Sequence, residues 1–173
     1  MEFINVLKNR RSTRKFLDKK VSGQLIKEVI ELANSSPSAG NIQARSIVVV
    51  KDSNIINEIK QSAKGLMNFE GEIPLLLVIL AKPKESGERY GERGETLYAL
   101  QDATILASYI QLVAVSRGLA TCWVGYFEEK KVSQILKLPN NVRPVAMIPL
   151  GYPFEKVPAK ERKKLNEIIL KEV

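Results

Sequence analysis

Leu75-Leu76-Leu77-Val78-Ile79-Leu80 places six aliphatic residues in a row with no polar residue among them. A strand with one face in water alternates apolar and polar side chains, so a run without alternation must be covered on both faces. Ile47-Val48-Val49-Val50, within Ser46 to Lys51, is a second such run. Two strands of this kind require a sheet with helices packed against both sides. The flanking sequence supplies such helices. Ser22 is a plausible N-cap for one on which Leu25, Ile26, Val29, Ile30 and Ala33 share a face. Ser36-Pro37 ends it, because proline disfavours helical geometry in the residue before it. Asp52 or Ser53 caps another, carrying Ile55, Ile56 and Ile59.

The remaining elements follow the same alternation. Residues 2–9 read as a short helix. Lys82 to Glu95, charged and bearing Gly87, Gly91 and Gly94, reads as a mobile loop. Residues 96–117 form the longest helix, about 33 Å at ~1.5 Å per residue. Its apolar positions, among them Leu97, Leu100, Ile105, Leu106, Ile110, Leu112, Val113 and Val115, wrap around more than one face, which calls for cover from several sides. A partner subunit is one source of that cover. Leu119 to Val124 is a third strand. A short helix follows, starting near Glu128 and stopped by Pro139. Val145 to Leu150 is a fourth strand, and residues 159–172 are a basic helix or tail. Strands and helices alternate in an α/β or α+β manner.

With 173 residues the chain fits one domain, 1–173. The single cysteine, Cys122, excludes an intrachain disulfide and a cysteine-cluster metal site. Histidine is absent altogether. That removes Ser-His-Asp and Cys-His nucleophile systems, histidine zinc sites and the usual general base, so no metal is expected and difficult chemistry would fall to a cofactor. No apolar run approaches the ~20 residues of a membrane helix, and Met-Glu-Phe-Ile-Asn lacks the pattern of a secretory signal. The expectation is a cytoplasmic protein without a membrane partner. A net charge of +8 admits nucleic acid or an anionic cofactor. Acids such as Glu28, Glu31, Glu58, Glu70 and Glu72 interrupt the basic residues, and aromatics do not alternate with them, which argues against nucleic acid.

Four segments carry candidate chemistry. Arg10-Arg11-Ser12-Thr13-Arg14-Lys15-Phe16 holds four cations and two hydroxyls in seven residues. Arginine's planar fork matches a phosphate in two parallel hydrogen bonds, and a hydroxyl adds another. Ser35-Ser36-Pro37-Ser38-Ala39-Gly40-Asn41-Ile42-Gln43 is small and polar, suited to close backbone approach to a ligand. Gly118-Leu119-Ala120-Thr121-Cys122-Trp123-Val124-Gly125 and Pro149-Leu150-Gly151-Tyr152-Pro153 each end a strand at glycine, with Lys160, Arg162 and Lys163 downstream. Taken singly, these are a solvated basic turn, a helix-ending loop, core residues and a surface charge run.

Taken in order, they resemble the FMN-dependent nitroreductase family from Arg10 to about Glu167. The resemblance implies an α+β three-layer sandwich with a mainly antiparallel central sheet flanked by helices. It further implies a homodimer holding FMN at the subunit interface, with NADH or NADPH as co-substrate and a small-molecule electron acceptor. In the family's pattern Arg10, Arg11 and Ser12 meet the FMN phosphate and ribityl chain, while Arg14 approaches the N1/O2 edge of the ring as the one catalytic candidate. Pro37, Ser38, Ala39, Asn41 and Gln43 touch the flavin from the other subunit. Val124 and Gly125 face N5 and O4, Lys160, Arg162 or Lys163 closes on the phosphate, and Asn68 meets the pyrimidine edge. The implied reaction is ping-pong: hydride from NAD(P)H to flavin, then electrons to a nitro compound, quinone or similar acceptor.

One departure stands out: Gln43-Ala44-Arg45 replaces the family's common Gln-Pro-Trp, which puts the rigidity of that loop in question. A cation for the 2′-phosphate of NADPH could come from Arg45, Lys82, Lys84, Arg89 or Arg93. Other readings are a relative with different flavin chemistry (dehalogenation or flavin cleavage) and an FMN-binding module without turnover.

Overall fold

The computed structural model describes residues 2–173. Strands β1 (Arg45–Val50), β2 (Leu76–Ala81), β3 (Ala120–Thr121) and β4 (Arg143–Gly151) form an antiparallel sheet in the order β1-β2-β4-β3. Helices α1 (Phe3–Asn9), α2 (Gly23–Ala33), α3 (Ser53–Ser62), α4 (Pro83–Arg93), α5 (Ala99–Ser116) and α6 (Glu129–Ile135) surround it.

Every residue of β2 is buried, as its unbroken apolar run requires. The period of two splits the run between two cores. Leu75, Leu77, Ile79 and Ala81 point into one cluster with Val29 and Ala33 of α2 and Ala103, Leu106, Ala107 and Ile110 of α5. Leu76, Val78 and Leu80 point into the other with Ile56 and Ile59 of α3 and Val132 of α6. The fold is therefore a helix–sheet–helix sandwich of the α+β type. Each fully buried Leu or Ile contributes roughly 1.5–3 kcal/mol. β1 departs from expectation: it is a sheet edge, paired only with β2, and its middle residues are half-buried.

Both N-caps read from sequence form. The Ser22 side chain accepts from the Leu25 amide, and Asp52 accepts from the amides of Asn54 and Ile55. The third strand is shorter than Leu119 to Val124, with Val124 making only an isolated bridge to Met147. Residues 159–172 form a tail with a single helical turn, Leu165–Glu167, and are exposed throughout.

Lys82 to Glu95 is not a loop. Pro83 opens α4 at a first-turn position that tolerates its missing N–H. Lys82 reaches Glu85 at 2.9 Å, and the chain turns back at Gly91 (φ +56°) into a π-turn, Gly94–Tyr98, that runs on into α5. Gly94 is a packing requirement here: a Cβ would overlap the Ser86 carbonyl, whereas one at Gly87 would meet only the exposed side chain of Glu95 and one at Gly91 nothing within 4 Å.

α5 packs on α2, β1, β2, β3, β4 and α1 of its own chain, and Leu100, Ile105, Leu112 and Val113 stay half-buried. By length and composition alone, the continuous stretch Pro83–Ser116, 34 residues, would suffice to cross a membrane. Glutamines, serines and Asp102 interrupt its apolar runs, and its buried face rests on the sheet.

Candidate functional site

The arginine segment is held in an extended path beside the sheet. Thr13 N–H donates to Thr121 O at 2.9 Å and Leu17 N–H to Tyr152 O at 2.9 Å, while Phe154 N–H donates to Lys15 O at 3.1 Å. Ser12 is bridged to Thr121 and Phe16 to Pro153. Buried Phe16 pins the segment, its ring 6.3 Å from that of Phe69. Gly151 has to be small here, because a Cβ would stand 3.0 Å from the Phe16 ring and 3.0 Å from Pro74.

This placement turns Arg10, Arg11, Ser12 and Arg14 toward residues 157–162. Between them lies a cavity of about 420 Å³, within the usual range for small-ligand sites, lined also by Leu7, Lys8, Val157, Pro158, Ala159, Lys160 and Arg162. Among the described residues, six of those lining it are cations (Lys8, Arg10, Arg11, Arg14, Lys160 and Arg162) and none is a carboxylate. The cationic groove along Lys15, Lys19, Lys20 and Lys51 differs, because Asp18, Glu70 and Glu72 share its walls. The Nη1 of Arg11 donates to the carbonyls of Lys8 and Arg10 at 2.7 and 2.8 Å. Its Nε is buried with no hydrogen-bond partner among the described residues. A buried donor in that state has a strong need for an acceptor. Uncompensated positive charge, an adjacent hydroxyl and an unused guanidinium donor together fit a phosphate-bearing ligand.

Cys122 lies under this segment, 1% exposed. Burial pushes its thiol up, while Arg14, the Ser12 hydroxyl and Arg10 pull in the other direction.

A second group is the turn Pro37 to Gln43, which does not line the cationic cavity. Gly40 (φ +52°), Asn41 (φ +58°) and Gln43 (φ +56°) are all left-handed. Glycine and asparagine tolerate that region; glutamine does so at a cost of roughly 1–2 kcal/mol. Ser38 Oγ accepts from the Gln43 amide at 3.0 Å. Arg89 of α4 donates to Gly40 O at 3.2 Å.

The third group is Val124 and Gly125, with Asn68 close in the fold. Val124 is buried and paired with Met147, whereas Gly125 and Asn68 are exposed. Gly65 N–H donates to Tyr126 O at 2.9 Å, drawing the Asn68 segment onto this strand end. Glu70 N–H donates to Arg14 O at 3.1 Å, tying the same segment to the arginine stretch.

The structure thus gathers Arg10, Arg11, Ser12, Arg14, Lys160 and Arg162 around one cavity. Lys163 is not among its lining residues. Sequence reasoning missed Leu7, Lys8 and Val157–Ala159, for which no local signal exists. It also misread Arg45. Expected as a possible phosphate contact for NADPH, Arg45 is 6% exposed and committed to backbone carbonyls. Desolvation pushes its guanidinium below the ordinary value, opposed by the charge of Asp102. Lys82 is paired with Glu85, and Arg93 donates to the Tyr98 hydroxyl.

The model of the nitroreductase family matches this chain over residues 7–72 and 68–152. The NADH dehydrogenase of Thermus thermophilus is 29% identical over 188 residues, an alignment covering 93% of this chain and 91% of that protein. The FMN reductase (NADPH) of Bacillus subtilis is 26% identical over 162 residues, covering 87% of this chain and 65% of that longer protein. Among solved structures, a nitroreductase family protein from Clostridium novyi superposes with a TM-score of 0.78 at 30% identity, covering 88% of this chain and 87% of that one.

Proposed function

The chain belongs to the nitroreductase family, and from that membership we propose that it is an FMN-dependent oxidoreductase. It would draw electrons from NADH or NADPH and deliver them to a small acceptor such as a nitroaromatic or quinone. Relatives named NADH dehydrogenase and FMN reductase (NADPH) support both the flavin and the nicotinamide donor. The observation that carries the reading is the cavity walled by six cations and no carboxylate.

In this reading Arg10, Arg11 and Ser12 hold the FMN phosphate and ribityl chain, with the unpartnered Nε of Arg11 finding its acceptor there. Lys160 and Arg162 close over the phosphate from the other end of the chain, with Lys163 nearby. FMN held by these residues would supply two-electron chemistry, taking hydride from NAD(P)H and passing electrons to the acceptor in a separate half-reaction, which would give ping-pong kinetics. Arg14 would meet the ring edge where negative charge grows on reduction, and a fixed cation there would favour the reduced state. Val124 and Gly125 offer backbone groups at the strand end, and Asn68 a side-chain amide. Proton transfer needs no histidine, which suits a chain that has none.

The Pro37–Gln43 turn lies away from the cationic cavity, which supports its supplying Asn41 and Gln43 to the flavin of a partner subunit. The working form is then a homodimer of flavin-binding units in the cytoplasm.

The test is a visible absorption spectrum of the purified protein, recorded before and after anaerobic NADH and then NADPH. Yellow protein that bleaches supports the oxidoreductase and names the donor. Yellow protein that does not bleach favours a flavin-binding module without turnover. Colourless protein that ignores added FMN overturns the reading.

A further inference from the structure

Between α2 and β1 the chain makes a tight excursion whose backbone is gripped from inside the protein by two buried, oppositely charged side chains. Arg45, the first residue of β1, sends Nη2 to Asn34 O at 3.2 Å and Ser36 O at 2.9 Å, and Nη1 to Pro37 O at 3.2 Å. Nη1 also reaches Asp102 O at 3.4 Å, which fastens the guanidinium to α5. Asp102, 1% exposed, takes the other limb: Oδ1 accepts from the Ala39 amide at 2.9 Å and Oδ2 from the Ala44 amide at 3.2 Å. The guanidinium therefore binds carbonyls entering the turn, and the carboxylate binds amides within it and leaving it. Between these grips lie the left-handed residues Gly40, Asn41 and Gln43. A conformation so sparsely populated persists only where its surroundings over-determine it.

Neither charge faces solvent, and each is satisfied largely by backbone groups of one turn. Burying two charges is costly unless their hydrogen-bonding capacity is used. Here most of it is used to fix the shape of residues 34–44; of the two side chains, only the Nε of Arg45 is buried without a partner among the described residues. Arginine's rigid fork is what allows one side chain to reach three carbonyls of the incoming limb and one of α5. A lysine ammonium, a compact point charge, cannot span that set.

We propose that Arg45 and Asp102 are positioning residues that clamp the Pro37–Gln43 turn in the conformation presenting Asn41 and Gln43 to the flavin. This rests on the FMN reading above. In this chain the clamp supplies the rigidity that a proline and an aromatic residue would otherwise give. Arg45 contacts neither cofactor nor substrate; it acts through the turn.

The test compares wild type, Arg45→Met, Arg45→Lys and Asp102→Asn by amide hydrogen exchange without FMN, FMN titration of apoprotein, and visible circular dichroism of FMN-saturated protein. In wild type the Ala39 and Ala44 amides should exchange slowly despite lying in a turn. Fast exchange there overturns the clamp without any variant. Arg45→Met should speed exchange across residues 35–44 at least tenfold while β2 and β4 keep their protection. It should also raise the FMN dissociation constant at least tenfold and alter the flavin dichroism. Arg45→Lys should fall between Met and wild type. Asp102→Asn, which keeps the shape and loses the charge, should act chiefly on the Ala39 and Ala44 amides and serves if Arg45→Met does not fold. Faster turn exchange with unchanged FMN affinity and dichroism would reduce Arg45 to a purely structural residue and sink the proposal. Wild type that takes up no FMN would fail the flavin reading, and the exchange data would still decide whether the clamp exists.

Discussion

Replacing Gly94 with alanine sets two opposed effects against each other. Gly94 is buried with helical dihedrals, φ −62° and ψ −48°. In an open helical position alanine is favoured over glycine by about 0.8–1 kcal/mol, so propensity alone predicts a more stable protein. The structure predicts the reverse. A Cβ at Gly94 would overlap the Ser86 carbonyl oxygen and stand 2.7 Å from its carbon and 3.0 Å from the Gly87 nitrogen. All three atoms are backbone, so no rotamer change relieves the collision, and α4 must separate from the π-turn. Overpacking of this kind costs roughly 1–3 kcal/mol, and backbone neighbours argue for the upper end. Set against the propensity gain, the net destabilisation is about 2 kcal/mol, or ~4–8 °C in Tm for a chain this size. The assay is thermal unfolding followed by circular dichroism, with both proteins at the same concentration. Gly23→Ala is the control: a Cβ there meets nothing within 4 Å, so Tm should hold or rise slightly. A Gly94→Ala protein melting at or above wild type would refute the claim that this glycine is a packing requirement.

Four further outcomes are expected. Arg10→Ala weakens FMN retention by about 1.5–3 kcal/mol, roughly 10- to 150-fold, if one charge-assisted bond is lost, whereas Arg14→Ala slows flavin reduction in stopped flow more than it weakens binding. Wild-type retention in the first or wild-type reduction in the second would remove that residue from its assigned role. The Arg143 guanidinium donates to both oxygens of Glu129 at 2.8 Å and holds its carboxyl below the ordinary range. A depressed folded-state value gives stability that is present above the unfolded pKa and lost as pH falls through the folded one. Glu129→Gln should therefore lower the urea midpoint at pH 7 by the equivalent of no more than about 1 kcal/mol, since the pair is half exposed. That difference should shrink on titration below pH ~4; a pH-independent gap would refute the coupling. Finally, Cys122, buried and with its thiol pushed up, should react with Ellman's reagent at pH 8 only on unfolding. Rapid labelling of native protein would show the packing over it to be loose.

Much of the fold could be read from local sequence because the signals are local. The unbroken aliphatic run of β2 specifies a doubly covered strand, and the Ser22 and Asp52 caps start helices where expected. The failures share one cause, which is that their determinants are partners distant in sequence. The glycines of Lys82 to Glu95 look like flexibility in sequence, yet Gly94 proves to be a contact point, since nothing near it in sequence announces the Ser86 backbone against it. Half-burial of β1 follows from its edge position, which its composition does not encode.

The same division holds at the candidate site. Arg10 to Arg14 showed a capacity for phosphate in residue type alone, because a guanidinium's geometry goes wherever arginine goes. That Lys160 and Arg162 join them across one cavity free of carboxylates is a consequence of where the chain runs after β4. Arg45 marks the limit most clearly. A charged residue opening an apolar strand looks available to a ligand, and Asp102 within α5 looks like a polar interruption. Burial and the carbonyls and amides of a folded turn make the pair a clamp. Side-chain chemistry is a property of each residue and is present in the sequence, whereas desolvation and hydrogen-bond partners exist only once distant segments meet.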